Sequence, residues 1–251
     1  MNFDWYYSAI HKKYGNITRC RGPYLYTEKG VRLVDMYQDG GRAILGRGNG
    51  NGKYMLALKN AMAKGLTSSF TSCNKHRAEK AIHELLPDFD HVSFFASQEK
   101  LDHVIADNAL QTVSIWLPFG ENNSQSDAVI VVPPFAFDVN IFILVTKTPL
   151  STTSDAIADC LFAGIARAFY DYQKEIPNRT EEKLAIYDAI LAPYFTRKGH
   201  WLIPKISKED YRNFVLKGIE IGLLFSPNEE TPSVVPFGVN MGDLKNLAKQ
   251  N

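Results

Sequence analysis

The sequence predicts an α/β protein, and three observations carry that prediction. A short apolar strand, "HVSFFAS" (His91–Ser97), runs directly into an amphipathic stretch, "QEKLDHVIADNALQ" (Gln98–Gln111), with Leu101, Val104, Ile105 and Ala109 at helical spacing. Three more apolar, β-branched runs follow between residues 113 and 145. The C-terminal segment then alternates short strand and helix patterns, as a compact α+β unit does.

Bulk properties exclude several classes. A chain of 251 residues accommodates one large domain or two small ones. With 28 basic against 27 acidic residues there is no electrostatic footprint for nucleic acid and no polybasic membrane surface. Cys20, Cys73 and Cys160 stand singly, without metal-ligand spacing, and read as reduced, buried thiols rather than a disulfide framework. No run approaches the ~18 apolar residues of a membrane span, and the N-terminus lacks an apolar core behind a basic start. A soluble, cytoplasmic protein is the expectation.

Each element follows in chain order. The aromatic cluster Phe3, Trp5, Tyr6 and Tyr7 suits either an interface arm or packing on its own domain. "YLYTEKGVRLVDM" (Tyr24–Met36) alternates about Lys29-Gly30 and predicts a hairpin. Met55, Leu56, Leu58, Ala61 and Met62 define a helix from Lys53 to Lys64, with Gly65 as its stop. A second helix is expected from Lys75 to Leu86, ended by Pro87. After the strand–helix unit come "VSIWLPFG" (Val113–Gly120), "AVIVV" (Ala128–Val132) and "VNIFILV" (Val139–Val145), which read as strands covered on both faces. Hardly a helix separates them, and parallel neighbours need crossovers of about a dozen residues. Either at least one pairing is antiparallel, or the strands are not neighbours. A long helix is expected from Ser154 or Asp155 to Lys174, and another from Thr180 to about Thr196, with Glu181 and Glu182 in its first turn. "GHWLIPKI" reads as a strand, Ser207–Asp210 as a capping-box helix start, "YRNFVLK" as a helix stopping at Gly218, "IEIGLLFSP" as a strand and "DLKNLAKQ" as a closing helix. Linkers are expected at Gly48–Gly52 and Ile176–Arg179.

Few motifs carry chemistry. "LGRGNGNGKY" (Leu45–Tyr54) is rich in glycine, but Arg47 stands where an ATP-type phosphate loop needs its first Gly, and Tyr54 follows the Lys. The dinucleotide pattern fails as well, because Asn51 takes the third glycine position. His76 and His83 lie seven apart on an expected helix while His91 and His103 fall elsewhere, so no pair has metal-ligand spacing with a carboxylate in a fixed motif. No Gly-x-Ser-x-Gly elbow occurs.

One family does come into view. "GPYLYTEKGVRLVDMYQDGGRAILGRGNGNGKYMLALKNAMAKG" (Gly22–Gly65) resembles the opening of the class III aminotransferases, the glutamate-semialdehyde aminomutase type. "LPDFDHVSFFAS" resembles that family's strand before its phosphate-binding Ser-Gly-Thr, and "GIEIGLLFSPNEETPSVVPFGVNMGDLKNL" its closing strand, loop and helix. The matching pieces occur in the family's order and span about half the chain. The resemblance implies a pyridoxal-phosphate (PLP) transferase of fold type I with a reduced large-domain sheet. Residues 1–50 would supply the N-terminal hairpin segment of the small domain, 51–178 the large domain, and 179–251 the C-terminal small α+β domain. It also implies a homodimer, and makes the glycine-rich stretch a connection between hairpin and helix, with Arg47 where the family has His.

The implied chemistry needs an anion site, a carboxylate for the pyridine nitrogen and a Schiff-base lysine. At the anion site Ser97 matches, while Gln98 replaces Gly and Glu99 replaces Thr. A carboxylate ~4 Å from a phosphate charge would repel it by about 4 kcal/mol at an effective dielectric near 20. Where the family's strand ends in Asp-Glu, "AVIVVPPF" ends in Pro133-Pro134, leaving Asp138 as the candidate carboxylate. "FDVNIFILVTK" makes Lys147 the candidate Schiff-base lysine, although the family's glycine-rich run after that lysine is missing. The expectation is therefore an aminotransferase-like protein that has lost PLP chemistry and works by binding, with a small anionic ligand at the Ser97 helix, or by assembly. The alternative is an active aminotransferase or aminomutase using Lys147 and PLP, with Ser97 and Gln98 at the phosphate.

Overall fold

A computed structural model describes residues 3–48, 53–70, 72–120 and 125–248. The chain divides into two compact units, one of Met1–Asn51 with Ile176–Asn251, the other of Gly52–Glu175.

The first unit begins with α1 (Asp4–Tyr14), β1 (Ile17–Arg21), β2 (Tyr24–Thr27) and β3 (Arg32–Asp35). β2 and β3 form the expected hairpin, with Gly30 at φ 74° in its turn. β1 adds a third antiparallel strand that is mostly exposed, so no hydrophobic alternation marks it in the sequence. The amphipathic face of α1 buries Tyr6, Ile10 and Tyr14, which puts Tyr6 in the unit's own core while Tyr7 remains 55% exposed.

The second unit contains α2 (Tyr54–Ala63), α3 (Cys73–His83), β4 (His91–Phe95), α4 (Gln98–Asp107), β5 (Val113–Trp116), β6 (Ala128–Val131), β7 (Phe142–Thr146) and α5 (Asp159–Glu175). Its sheet runs in the order β4-β7-β6-β5. β7 is antiparallel to both β4 and β6, whereas β5 and β6 are parallel. The three consecutive strands are thus neighbours with one antiparallel pairing. Period-two alternation places Phe95, Leu144 and Ala128 with Leu101 and Val104 of α4 in one cluster. Phe94 meets Phe162 of α5 at 4.8 Å between ring centroids, and Trp116 meets Phe169 at 6.0 Å. Coverage on both faces fails at β5, an edge strand whose Ile115 is 61% exposed. Ala109 is exposed at φ 49°, because the helix has already ended at Asn108. Among the cysteines Cys160 is buried, but Cys73 at the start of α3 is exposed.

The start of α5 departs from expectation for a physical reason. Ser154 and Asp155 do not cap it; they cover the outer edge of β4, Ser154 Oγ accepting from the Phe94 amide at 3.1 Å and the Asp155 amide donating to the Phe94 carbonyl at 2.8 Å. The helix begins four residues later at Asp159, whose buried carboxylate accepts from Ser72 Oγ and from Asn74 Nδ2, joining the N-termini of α5 and α3.

The chain then completes the first unit with α6 (Glu181–Ala185), α7 (Asp188–Leu191), β8 (Phe195–Lys198), β9 (Trp201–Pro204), α8 (Lys208–Glu220), β10 (Leu223–Leu224), β11 (Ser233–Val234) and α9 (Met241–Ala248). The expected single helix from Thr180 breaks into α6 and α7 and gives way, past Pro193, to β8, which pairs antiparallel with β9. Arg197 of β8 holds the two short helices by bonding Glu181 and Asp188. Ser207 caps α8 as expected, accepting from the Asp210 amide. β10 pairs in parallel with β3, so the sheet β1-β2-β3-β10 joins residues from opposite ends of the sequence.

Gly218 does not stop α8, which continues to Glu220; Gly222, at φ 82°, makes the turn instead. Gly218 serves packing. A Cβ there would lie 2.6 Å from Phe225 ring carbons and 2.9 Å from the Leu223 carbonyl, while Phe225 itself stacks on Phe214 at 4.7 Å. Gly218→Ala is expected to lower the unfolding free energy by about 2 kcal/mol, as overpacking of a filled core does; an unchanged urea midpoint would contradict this.

Candidate functional site

The strand–turn–helix at Phe95–Lys100 is where the sequence places an anion. Ser97 is extended at φ −143°, and its Oγ accepts from the Lys100 amide, a side-chain N-cap on α4. Gln98 is exposed and donates to Asp102 at 2.7 Å. An anion from the chain itself is already present. The Asp155 carboxylate accepts from the Ala96 amide at 2.9 Å and from the Lys100 ammonium. Lys100 first, and the Ala96 amide second, hold the Asp155 carboxyl below the usual carboxylate range. Glu99, the acid singled out from the sequence, is exposed one residue into the helix.

The remaining candidates are distributed by the sheet's polarity. Asp138 is exposed on the connection from β6 to β7, where Phe135, Phe137, Val139 and Ile141 each donate to the carbonyl two residues back. That connection leaves the sheet at the end where Val131 pairs with Ile143 and Phe95 pairs with Phe142, the same end as Ser97. Lys147 follows Thr146, which pairs with His91. It lies beyond the opposite end of a ladder that itself runs four residue steps, from Thr146 to Phe142, or on the order of 14 Å at ~3.4 Å per residue. The Lys147 ammonium sits 5.5 Å from the Phe89 ring, and its backbone amide donates to Asp127. Ser97, Gln98 and Asp138 thus share one end of the sheet, and Lys147 does not join them.

No protein-family model matches the chain. It is 26% identical to an uncharacterized protein of Treponema pallidum, over 92% of each chain. It is 23% identical to an uncharacterized protein of Borreliella burgdorferi, over 93% of this chain and 88% of that one. Among solved structures it superposes on an ornithine aminotransferase from Plasmodium yoelii with a TM-score of 0.68, at 10% identity over 97% of this chain and 96% of that one. An acetylornithine aminotransferase from Elizabethkingia anophelis gives 0.65, at 12% identity over 99% and 98%. A taurine:2-oxoglutarate aminotransferase from Bifidobacterium kashiwanohense, solved with PLP and glutamate, gives 0.66 at 10% identity over 97% and 96%. The fold is that of the PLP-dependent aminotransferases.

Within this aminotransferase fold the first unit holds a second constellation, which sequence reasoning missed. Arg47, taken from sequence as part of a connection, bridges Gly22 through paired backbone bonds. The glycines around it are required: a Cβ on Gly46 would lie 2.8 Å from the Gly22 Cα, and one on Gly48 2.7 Å from the Cys20 carbonyl. Residues 49–52 of that stretch fall outside the described ones. The Arg47 guanidinium contacts Asp35 at 3.2 Å and Asp39 at 3.1 Å. Beside it lies a cavity of about 220 Å³ whose walls include Tyr6, Tyr7, His11 and Tyr37. Gln38 and Asp39 form its turn in the left-handed region, at φ 47° and 53°, a conformation held by the Asp35 carboxylate accepting from the Gln38 amide at 2.7 Å. Burial, and after it the negative field of Asp35, raises the Tyr6 phenol; burial foremost pushes Tyr37 up to about 12. Burial also pushes the Cys20 thiol up, against the pull of Arg47. The two phenols therefore stay protonated at neutral pH, as hydrogen-bond donors beside the cavity. The signal available in sequence was the pair Asp35 and Asp39 twelve and eight residues before an arginine in a glycine-rich stretch. That spacing matches no motif.

Proposed function

We propose that this protein is a shortened, degenerate relative of the class III aminotransferases that does not transaminate and acts by binding a small ligand, as a cytoplasmic homodimer. One observation carries the reading: the candidate Schiff-base lysine and the candidate phosphate turn stand at opposite ends of an antiparallel strand pair. The Lys147 ammonium lies over the Phe89 ring, beyond the far end of β4, and not toward the Ser97 turn. Two further observations support it. The Ala96 amide, which would help receive the phosphate, already serves Asp155. Lys100, the lysine in the first turn of α4, is engaged by the same carboxylate. The described residues at this turn therefore do not fit PLP.

The competing reading, a working aminotransferase or aminomutase using Lys147 with Ser97 and Gln98 at the phosphate, is favoured by the fold likeness to PLP enzymes. Incubation with PLP followed by borohydride and intact-mass measurement separates the two. No stoichiometric adduct and no aldimine absorption are expected. A yellow protein, with one reduced PLP per chain that disappears in Lys147→Ala, would establish the competing reading. The homodimer draws support from the exposed Leu56, Met62 and Phe70, at 57%, 50% and 70%. A monomer by sedimentation equilibrium would remove that part. A cytoplasmic location is consistent with three free cysteines and with no described helix long and apolar enough to cross a membrane.

A further inference from the structure

A groove of about 360 Å³ opens in the second unit where α2, α3 and α5 meet. It exists because small side chains, Ala57 and Ala61 on α2 and Ala163 and Ala166 on α5, line it where larger ones would fill it. Its charge is one-sided. Lys64, Arg77 and Arg167 line it together with Asn60 and Tyr170, and no carboxylate among the described residues does. Asp171 takes Arg167 Nη2 at 2.8 Å, but Arg167 Nε is buried without a hydrogen-bond partner among the described residues. Neither Arg77 nor the Lys64 ammonium has an ion-pair partner among the described residues, and both residues are exposed. With Arg167 paired to Asp171, Lys64 and Arg77 leave the lining net positive, and a compact anion offsets that charge.

We propose that this groove binds a small phosphomonoester. Two guanidinium residues and a lysine lining one groove suit a headgroup of nearly two negative charges with three acceptor oxygens. Asn60 and Tyr170 can serve the ester or a neighbouring hydroxyl, and the alanine floor takes the carbon skeleton. A dicarboxylate, whose two charges sit apart, brings fewer acceptor oxygens to any one point of the groove. The inference rests on the binding reading given above and supplies its site. It concerns residues remote in sequence from Ser97 and Lys147, so a PLP adduct at Lys147 would leave it standing.

The test uses the full chain with glycerol 3-phosphate as probe, and succinate and glycerol as comparison arms, by calorimetry and thermal shift. Saturable binding of glycerol 3-phosphate is expected, weaker binding of succinate, and none of glycerol. Arg77→Gln and Lys64→Gln, both at exposed positions, should each weaken binding about tenfold, the loss of one charge-assisted contact; Ser97→Ala should leave it unchanged. Absence of glycerol 3-phosphate binding, wild-type affinity in Arg77→Gln and Lys64→Gln, or loss of binding in Ser97→Ala would each overturn the proposal. Tighter binding of succinate would overturn the choice of a phosphomonoester.

Discussion

Asp35→Ala will cost the first unit about 3 kcal/mol of stability, near the lower end of what removing one partner of a buried ion pair costs. The lower end applies because the Arg47 side chain keeps 23% of its exposure and a second carboxylate, Asp39, at 3.1 Å. Burial raises the Asp35 carboxyl, with Arg47 as the leading opposing influence. Its removal leaves the guanidinium half-compensated and takes the acceptor from the Gln38 amide, at a turn where two non-glycine residues already sit left-handed. Urea unfolding of Asp35→Ala checks the magnitude. The double variant Asp35→Leu with Arg47→Met is expected to be more stable than Asp35→Ala alone, since no charge is then stranded. If both unfold at the same midpoint, the pair contributes nothing that the side-chain volumes do not.

The second large effect is a dependence on pH carried by His200. This residue is 4% exposed at the turn between β8 and β9. Burial first, then the positive charges of Arg179 and Arg197, lower its pKa to about 3. The unfolded chain takes up that proton near 6.5, whereas the folded chain refuses it until about 3. Between these values the unfolded state binds more protons, so stability is fully present above 6.5 and falls as the pH drops through the window. At pH 4.5 the two-unit gap from 6.5 corresponds to roughly 2–3 kcal/mol. His200→Gln should show a smaller loss between pH 7 and pH 4.5 than the wild type, measured by urea unfolding at both. Parallel curves for the two proteins would assign the acid sensitivity elsewhere.

Where one residue's neighbours in sequence decide its structure, the sequence is readable. Ser97 and Ser207 cap helices because a hydroxyl reaches the amide three residues on, and the β2–β3 hairpin forms around Gly30 for an equally local reason. The order of alternating strands and helices follows from such signals, whereas the aminotransferase fold is legible only through the resemblance of whole segments in the family's order. What escapes is decided at a distance. Asp155 resembles a helix cap in its own segment, yet the amide it serves is Ala96, fifty-nine residues earlier. Gly218 resembles a helix stop until Phe225 is seen packed against it. The polarity of β7, which separates Lys147 from Ser97, depends on which neighbours the strand chooses rather than on its own composition.

The parallel pairing of β3 with β10 governs how this chain is made. Val34 bonds to Gly222 and Met36 to Leu224, partners that leave the ribosome nearly two hundred residues later. In the interval the whole of Gly52–Glu175 is synthesised and can collapse around its own sheet. The nascent hairpin must meanwhile present Leu33 and Val34, both fully covered in the finished molecule, to whatever apolar surface comes near. During translation the inserted unit therefore has the head start, and the flanking unit closes last.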